Sequence, residues 1–182
     1  MKVVLALFVL FAVACSSDDD AQPDAGNLCT SCGGCAQALP IRGYMHVSGH
    51  IDYQDTPPAS GNHNGTCWSD WGVINTEVPP ERWVHNLEHG GIVFLYRCDD
   101  GCADDLDVLR QIVNSHPRTL LTSYSQLPTR FAVISWGIRL LSDCVDREVF
   151  ETFYSTYVAH GRENIDSPPP DACARAADPL AL

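Results

Sequence analysis

Two histidines and a glutamate lie close together in residues 84–91. His85 and His89 are four residues apart, and Glu88 lies directly before His89. His-x-x-Glu-His is a spacing of one class of zinc peptidase, in which both histidines bind the metal ion and the glutamate activates water. Side chains four residues apart share a face of a helix and of a strand alike. The segment therefore predicts a metal site at the two histidines with Glu88 as catalytic base. The alternative is a turn whose histidines only form hydrogen bonds.

Further histidines lie upstream, at His46, His50 and His63. Prolines and a turn-forming run at residues 60–62 precede His63, and such a loop can present a ligand rigidly. Imidazole suits copper, zinc, iron and nickel, whereas calcium and magnesium prefer oxygen ligands. We therefore expect a transition-metal ion, copper or zinc, bound through a histidine cluster.

Three motifs contain most of these residues: Pro57-Pro58-x-Ser60-Gly61-x-His63, Trp83-Val84-His85-Asn86-Leu87-Glu88-His89-Gly90 and Trp136-Gly137. Together they resemble an uncharacterised bacterial family, domain of unknown function 3105. Its members have an exported or membrane-anchored amino terminus and a leading His-Val before a tyrosine, matched here by His46-Val47 and Tyr53. The resemblance covers roughly residues 43–163.

This resemblance implies which histidines matter but brings no established activity. The histidines at matching positions are His46, His63, His85 and His89. His50 does not clearly match, and His116 and His160 are expected at the surface. The family usually has threonine where this chain has Ala59, and this difference argues against an essential hydroxyl group there.

The amino terminus predicts export. Residues 3–13 form an apolar run of signal-peptide length, too short to span a bilayer comfortably, and small residues precede Cys15. The pattern resembles a bacterial lipoprotein signal, which is cleaved before a cysteine that becomes lipidated; ordinary secretion is the alternative. We expect a signal peptide over residues 1–14, a flexible acidic tether over 15–28 and a single domain over 29–182. The protein would be lipid-anchored in the bacterial cell envelope, facing the periplasm or exterior.

The formal net charge of −12 limits the classes of partner. It argues against nucleic acid and against a polybasic surface for anionic lipid, and it is compatible with metal ions. The expected partners are therefore a metal ion and, through the lipid anchor, the membrane. The sequence names no protein partner.

Cysteine content agrees with an oxidising compartment. Apart from Cys15, eight of the nine cysteines remain, and we expect them to form disulfides; they are Cys29, Cys32, Cys35, Cys67, Cys98, Cys102, Cys144 and Cys173. Cys98 and Cys102 can close a tight loop. Cys144 with Cys173 would tie down the carboxy-terminal segment, leaving Cys67 for one of the first three. A metal or redox role for the first three is the alternative, although thioredoxin-like chemistry needs a Cys-x-x-Cys that opens a helix after a strand.

The hydrophobic pattern predicts an α+β fold: one compact domain with a small, mostly antiparallel sheet, two amphipathic helices and disulfide-tied loops. Strands are expected at residues 44–53, 72–74, 92–96, 119–124 and 131–136, and helices at 104–115 and 146–160. Residues 55–71 are too rich in turn formers for regular structure. A turn or helical turn is expected at residues 79–83, and the glycines after His89 would soon end any helix there.

Three function classes follow from these features. The first and favoured class is an exported lipoprotein that carries or senses copper or zinc. The second is a metal-dependent hydrolase with Glu88 as general base. It ranks lower because His-x-x-Glu-His peptidases are larger folds with a substrate cleft, and Ser60 lacks the nucleophile-elbow pattern of a serine hydrolase. The third is a non-catalytic cell-envelope interaction module whose histidines only hold loops together.

Overall fold

A computed structural model describes residues 25–165 of the chain. The predicted signal peptide, Cys15 and Cys173 lie outside the described residues. The strands in the described part are β1 (Gln37–Ala38), β2 (His46–Val47), β3 (His63–Asn64), β4 (Gly72–Val73), β5 (Ile92–Tyr96), β6 (Thr119–Ser123), β7 (Phe131–Ser135) and β8 (Ile138–Ser142). The helices are α1 (Pro80–Glu88), α2 (Ala103–Ser115) and α3 (Arg147–Tyr157). The α+β class is therefore confirmed.

Six strands form one mixed sheet in the order β1-β8-β7-β5-β6-β4. β5 and β4 both run parallel to β6, whereas β7 pairs antiparallel with β5 and β8, and β1 pairs antiparallel with β8. The sheet is larger than predicted, and it is mixed: three of its five strand pairings are antiparallel and two are parallel. A parallel pair needs a long crossover, and α2 supplies it between β5 and β6. Hydrophobic periodicity marks a strand but not its direction.

Helices cover both faces of this sheet, and alternate residues of each strand point to opposite faces. Phe94 packs in a core with residues of α2 and α3, including Leu109 and Phe150. Its neighbour Val93 packs in a second core with Trp83 of α1. The sheet is thus the middle of three layers, and α1 lies on the face opposite the other two helices.

Four of the five predicted strands are confirmed as β4 to β7, and both predicted helices are confirmed as α2 and α3. The strand expected over residues 44–53 contains only the two-residue β2. Residues 55–71, expected to be irregular, contain the equally short β3. β1 and β8 were not predicted, nor was α1 as a full helix, so the expectation of two helices is wrong. α1 ends at Glu88, two residues before Gly90, in keeping with the expectation that these glycines limit a helix there, but the helix already begins at Pro80.

Three disulfides join the described cysteines: Cys29–Cys35, Cys32–Cys144 and Cys98–Cys102. The last is the predicted tight loop. Pairing of Cys144 with Cys173 is contradicted, and so is pairing of Cys67 with one of the first three cysteines, because all three have other partners. Antiparallel pairing of β1 with β8 carries the amino-terminal cysteines to the end of β8, where Cys144 follows. Cys67 is also disulfide-bonded.

The helices of residues 25–165 are all too short or too polar to cross a bilayer.

Candidate metal centre

The histidine motif lies on the last turn of α1 and just beyond it. The helix starts with Pro80, whose fixed φ and missing N–H suit a first helical position. It ends at Glu88, with His89 as the following cap residue. Gly90 then adopts φ +81°, which favours glycine, and a Cβ there would lie 2.8 Å from Ala159 Cα. The motif is therefore held in the interior rather than on a surface helix.

The other two histidines come from the small parallel sheet of β2 and β3. His46 and His63 are direct neighbours in its register, and their ring centroids lie 5.0 Å apart. β3 packs against α1, so that the ring of His63 lies 4.7 Å from that of His85. Gly65 lets the chain pass beside His46, because a Cβ at Gly65 would overlap His46 Cβ. Local strand pairing thus brings two distant sequence motifs to one place.

We call His46, His63, His85 and Glu88 the four-donor cluster. One ligand atom from each lies within 4.8 Å of the other three, a spacing that could hold a metal ion. Three of these residues are buried, whereas the His46 side chain is 48% exposed. The cluster is therefore reached from solvent on the His46 side.

Backbone carbonyls fix the orientation of two imidazoles in this cluster. His63 Nδ1 donates to the carbonyl oxygen of Gly61 at 2.9 Å, and His85 Nδ1 donates to that of Asn64 at 2.6 Å. Because a carbonyl oxygen only accepts, each Nδ1 carries a proton, and in the neutral form of either ring the lone pair is on Nε2. Metal-ligating histidines are characteristically oriented in this way by the hydrogen bond of the other ring nitrogen.

The Nε2 of His63 and the carboxylate of Glu88 are buried together without satisfying each other. Glu88 Oε2 lies 2.9 Å from His63 Nε2, with side-chain exposures of 1% and 0%. Within the described part of the chain, neither this nitrogen nor either Glu88 oxygen has an aligned hydrogen-bond partner. Buried polar atoms without partners are costly and uncommon in native proteins. A cation between them would satisfy the nitrogen lone pair and the carboxylate at once.

The protonation states agree with a cation site. Burial, followed by the nearby His63 and His89, lowers the pKa of His85 to about 3. Burial alone would raise the pKa of Glu88, but its contact with His63, which favours the carboxylate when that imidazole carries a positive charge, outweighs burial and brings the pKa below its ordinary value. At neutral pH the ring of His85 is therefore neutral and Glu88 is ionised, which are the forms that bind metal.

A second group of donors adjoins the first and consists of Glu88, His89 and Glu163; we call it the three-donor cluster. His89 Nε2 lies 3.3 Å from Glu163 Oε2 and 3.2 Å from His85 Nε2. The pKa of His89 is lowered by burial, although Glu163 and Glu88 oppose this shift. A backbone hydrogen bond holds the two glutamates of this cluster together, since the N–H of Glu163 donates to the carbonyl oxygen of Glu88.

These positions change the ligand set expected from sequence. The structure brings His46, His63 and His85 together, as expected, but places His89 beside the four-donor cluster rather than within it. Glu88, expected as a base next to the metal, lies among the donors instead. Successive side chains of a helix project about 100° apart, so Glu88 and His89 reach different parts of the site.

The ring of Trp68 packs against two histidines of the site. Trp68 meets the rings of His85 and His89 in T-shaped contacts, with centroid distances of 4.9 and 4.5 Å. Asn86 holds the loop that carries it, because its side-chain amide accepts from Ser69 N–H and donates to Ser69 carbonyl oxygen, both at 2.9 Å. Trp68 therefore limits the access of water to the two imidazoles.

The remaining candidates from sequence lie elsewhere. His50 Nδ1 lies 2.9 Å from Glu81 Oε1, His116 stacks on Tyr154 and His160 is exposed. Ser60 is 3% exposed, and its hydroxyl group accepts from Arg42 N–H. The described cysteines are disulfide-bonded, so their thiols cannot serve as ligands.

Sequence reasoning missed two charged residues at the site, Arg162 and Glu163. Arg162 Nη1 lies 3.7 Å from Glu88 Oε1, and its guanidinium carbon lies 4.0 Å from the centroid of the Tyr44 ring. Both residues follow α3 in a polar stretch and carry no motif. Only the docking of this loop on the end of α1, where Ala159 N–H donates to Gly90 carbonyl oxygen, brings them to the site.

The chain belongs to the family described as "Protein of unknown function (DUF3105)", whose model it matches over residues 46–172. The resemblance found in the sequence motifs is thus confirmed. The matched segment begins at His46 and includes every residue of both donor clusters. Neither the curated proteins nor the solved structures contain a match to this chain.

Proposed function

We propose that this protein is an exported lipoprotein that binds one transition-metal ion, copper or zinc, through the four-donor cluster. The observation that carries the proposal is the buried, unsatisfied approach of His63 Nε2 and Glu88 Oε2 at 2.9 Å. Two oriented Nε2 lone pairs and a carboxylate that stays ionised form a donor set ready for a cation. The lipoprotein part of the proposal rests on the apolar amino-terminal run and Cys15.

Copper and zinc fit these donors better than calcium or magnesium. The cluster offers three imidazole nitrogens and one carboxylate, whereas calcium and magnesium take mainly oxygen ligands. Four protein donors suit zinc, which prefers tetrahedral sites of nitrogen, sulfur and carboxylate ligands. Copper binds nitrogen sites still more tightly by the general order of divalent metal affinities. The half-exposed His46 gives the ion a route of entry and exit, which favours a carrier or sensor.

A metal-dependent hydrolase with Glu88 as general base is less well supported. A general base must reach water that is bound to the metal, and so it lies outside the ligand shell. Glu88 Oε2 instead lies 2.9 Å from His63 Nε2 and 3.5 Å from His46 Nε2, among the donors themselves. We therefore assign Glu88 as a ligand. An interaction module without metal would leave these buried atoms unexplained.

Elemental analysis with a metal titration tests the proposal. The full chain, produced in an oxidising compartment without chelator or affinity histidines, should contain zinc or copper. Competition against a chromophoric chelator then gives the dissociation constant. His63→Ala and His85→Ala should each weaken binding by more than the roughly 10- to 100-fold typical of residues that only support a ligand.

His116→Ala and His160→Ala are the matched controls, because neither residue belongs to the four-donor cluster. Their dissociation constants should equal that of the unaltered chain. If all four variants bind equally, or if the chain takes up neither metal after reconstitution, the metal-binding proposal is wrong.

A further inference from the structure

Glu88 belongs to both donor clusters. In the four-donor cluster its Oε2 lies 2.9 Å from His63 Nε2 and 3.5 Å from His46 Nε2. In the three-donor cluster a Glu88 oxygen lies within 4.8 Å of donor atoms of His89 and Glu163. A carboxylate has two oxygens and can bind one cation with each. Both Glu88 oxygens are buried and lack a hydrogen-bond partner among residues 25–165.

One nitrogen of the imidazole in the three-donor cluster has no hydrogen-bond partner among the described residues. His89 is 3% exposed, and its Nδ1 is buried without a hydrogen-bond partner in the described part of the chain. Its Nε2 lies between Glu163 Oε2, at 3.3 Å, and His85 Nε2, at 3.2 Å. His85 Nε2 carries no proton, because Nδ1 is the donor to Asn64, so it accepts a hydrogen bond from His89 Nε2 that metal binding would replace. The two clusters therefore meet at this nitrogen pair as well as at Glu88.

The charge at this point favours a second cation. Glu88 and Glu163 are two carboxylates beside one buried imidazole, and Arg162 is the nearby cation. Arg162 lies 3.7 Å from Glu88 Oε1, beyond hydrogen-bond distance, and 43% of its side chain is exposed. The Glu163 side chain is 33% exposed, which gives an ion access.

We propose that Glu88, His89 and Glu163 bind a second divalent transition-metal ion, and that Glu88 bridges it to the first ion. This inference rests on the proposed function, because it adds an ion to the four-donor cluster. Two-metal sites elsewhere use shared ligands to hold their ions a few ångströms apart. The centre would then be binuclear, with His46, His63 and His85 on one ion and His89 and Glu163 on the other.

Copper titration of the full chain tests this inference, with two readouts. Metal analysis after removal of excess Cu²⁺ should give two equivalents per chain. Electron paramagnetic resonance should show magnetic coupling between the two Cu²⁺ ions, because they share the Glu88 carboxylate. Glu163→Gln should reduce the stoichiometry to one equivalent and restore the spectrum of an isolated Cu²⁺ ion. This variant retains the backbone hydrogen bond from Glu163 N–H to Glu88 carbonyl oxygen.

Glu148→Gln is the matched control, since Glu148 is an exposed glutamate of α3, and it should retain two coupled ions. Arg162→Gln removes the competing cation and should bind the second ion at least as tightly. One equivalent in the unaltered chain, or two uncoupled equivalents that Glu163→Gln does not change, would overturn the binuclear centre and leave the four-donor site intact. Failure to bind any copper or zinc would overturn both proposals.

Discussion

His63 Nε2 and Glu88 Oε2 lie 2.9 Å apart in the protein interior, where both can offer lone pairs to one cation. The lone pair of His63 is directed there because its Nδ1 donates to Gly61 carbonyl oxygen. Glu88 brings a negative charge because its pKa lies below the ordinary value. The residues are 25 positions apart in sequence and meet because β3 packs against α1. A cation is the simplest partner that satisfies both.

Glu88→Gln should therefore weaken metal binding. Glutamine has nearly the same shape, so α1 should still form, but its amide removes the negative charge from the donor set. The dissociation constants for zinc and copper should rise by at least about 100-fold, as expected for a lost ligand rather than a supporting residue. Chelator competition measures this change.

The same variant separates the two roles considered for Glu88. If Glu88 were a general base, the substitution Glu88→Gln would abolish hydrolysis but leave the metal content unchanged. Full metal occupancy at an unaltered dissociation constant would therefore contradict the ligand assignment. Glu151→Gln on α3, outside both donor clusters, is a suitable control and should leave the metal content and the dissociation constant unchanged.

The sequence predicted the main elements better than it predicted the site. β5 and α2 have unbroken hydrophobic patterns, and both were predicted within a residue or two. The motif at His85 and His89 was recognised, but its two histidines belong to different clusters. The pairing of His46 with His63 depends on two-residue strands, which leave no periodic signal.

Glu163 illustrates the limit of motif reasoning. It lies 75 residues after Glu88 in a short polar loop, and exposed glutamates are common in such loops. Its position is set by the packing of residues 159–163 against the end of α1, with Gly161 passing so close to Gly90 that a Cβ would not fit. Such a contact depends on the tertiary fold, and no local sequence pattern encodes it.

Gly65→Ala should weaken metal binding through His46. Gly65 has an ordinary φ, so alanine causes no backbone strain, but its Cβ would overlap Cβ and the ring of His46. Because His46 is half-exposed, it can move away and the fold should tolerate the change. We expect a loss of affinity of about 10- to 100-fold, the range for residues that support a ligand.

A double-mutant cycle tests whether Gly65→Ala acts on metal binding through His46. In the background of His46→Ala, the alanine at position 65 has no imidazole to displace and should cause no further loss of metal affinity. Additive losses would mean that Gly65→Ala acts on some other part of the site.

The disulfide Cys32–Cys144 should contribute most of the stability supplied by the described disulfides. Its cysteines are 112 positions apart, whereas those of Cys98–Cys102 are 4 apart. Closing a longer loop removes more entropy from the unfolded chain, and the expected stabilisation is about 4 to 5 kcal/mol for the long loop against about 2 kcal/mol for the short one. Urea denaturation of Cys32→Ser/Cys144→Ser and Cys98→Ser/Cys102→Ser measures the two losses. Equal losses would contradict this order.

The metal-free protein should lose stability as the pH falls below about 6.5. In the folded chain, burial and the neighbouring imidazoles hold the pKa of His85 at about 3, whereas an unfolded histidine has a pKa of about 6.5. Between these values the unfolded state binds a proton that the folded state refuses, so acid favours unfolding. The free energy of unfolding should fall by up to about 1.4 kcal/mol per pH unit for this ring.

His85→Asn isolates this effect, because the asparagine amide can still donate to Asn64 carbonyl oxygen but does not titrate. Urea midpoints between pH 7 and pH 5, measured with chelator present, should fall less steeply for this variant than for the unaltered chain. This range lies above the ordinary pKa of Glu88, 4.5, so the carboxylate adds little to the slope there. His89, whose pKa is also lowered by burial, leaves a residual slope in the variant. Identical slopes for the two proteins would show that His85 is not held neutral by the fold, and the oriented Nε2 lone pair would then lose its main support.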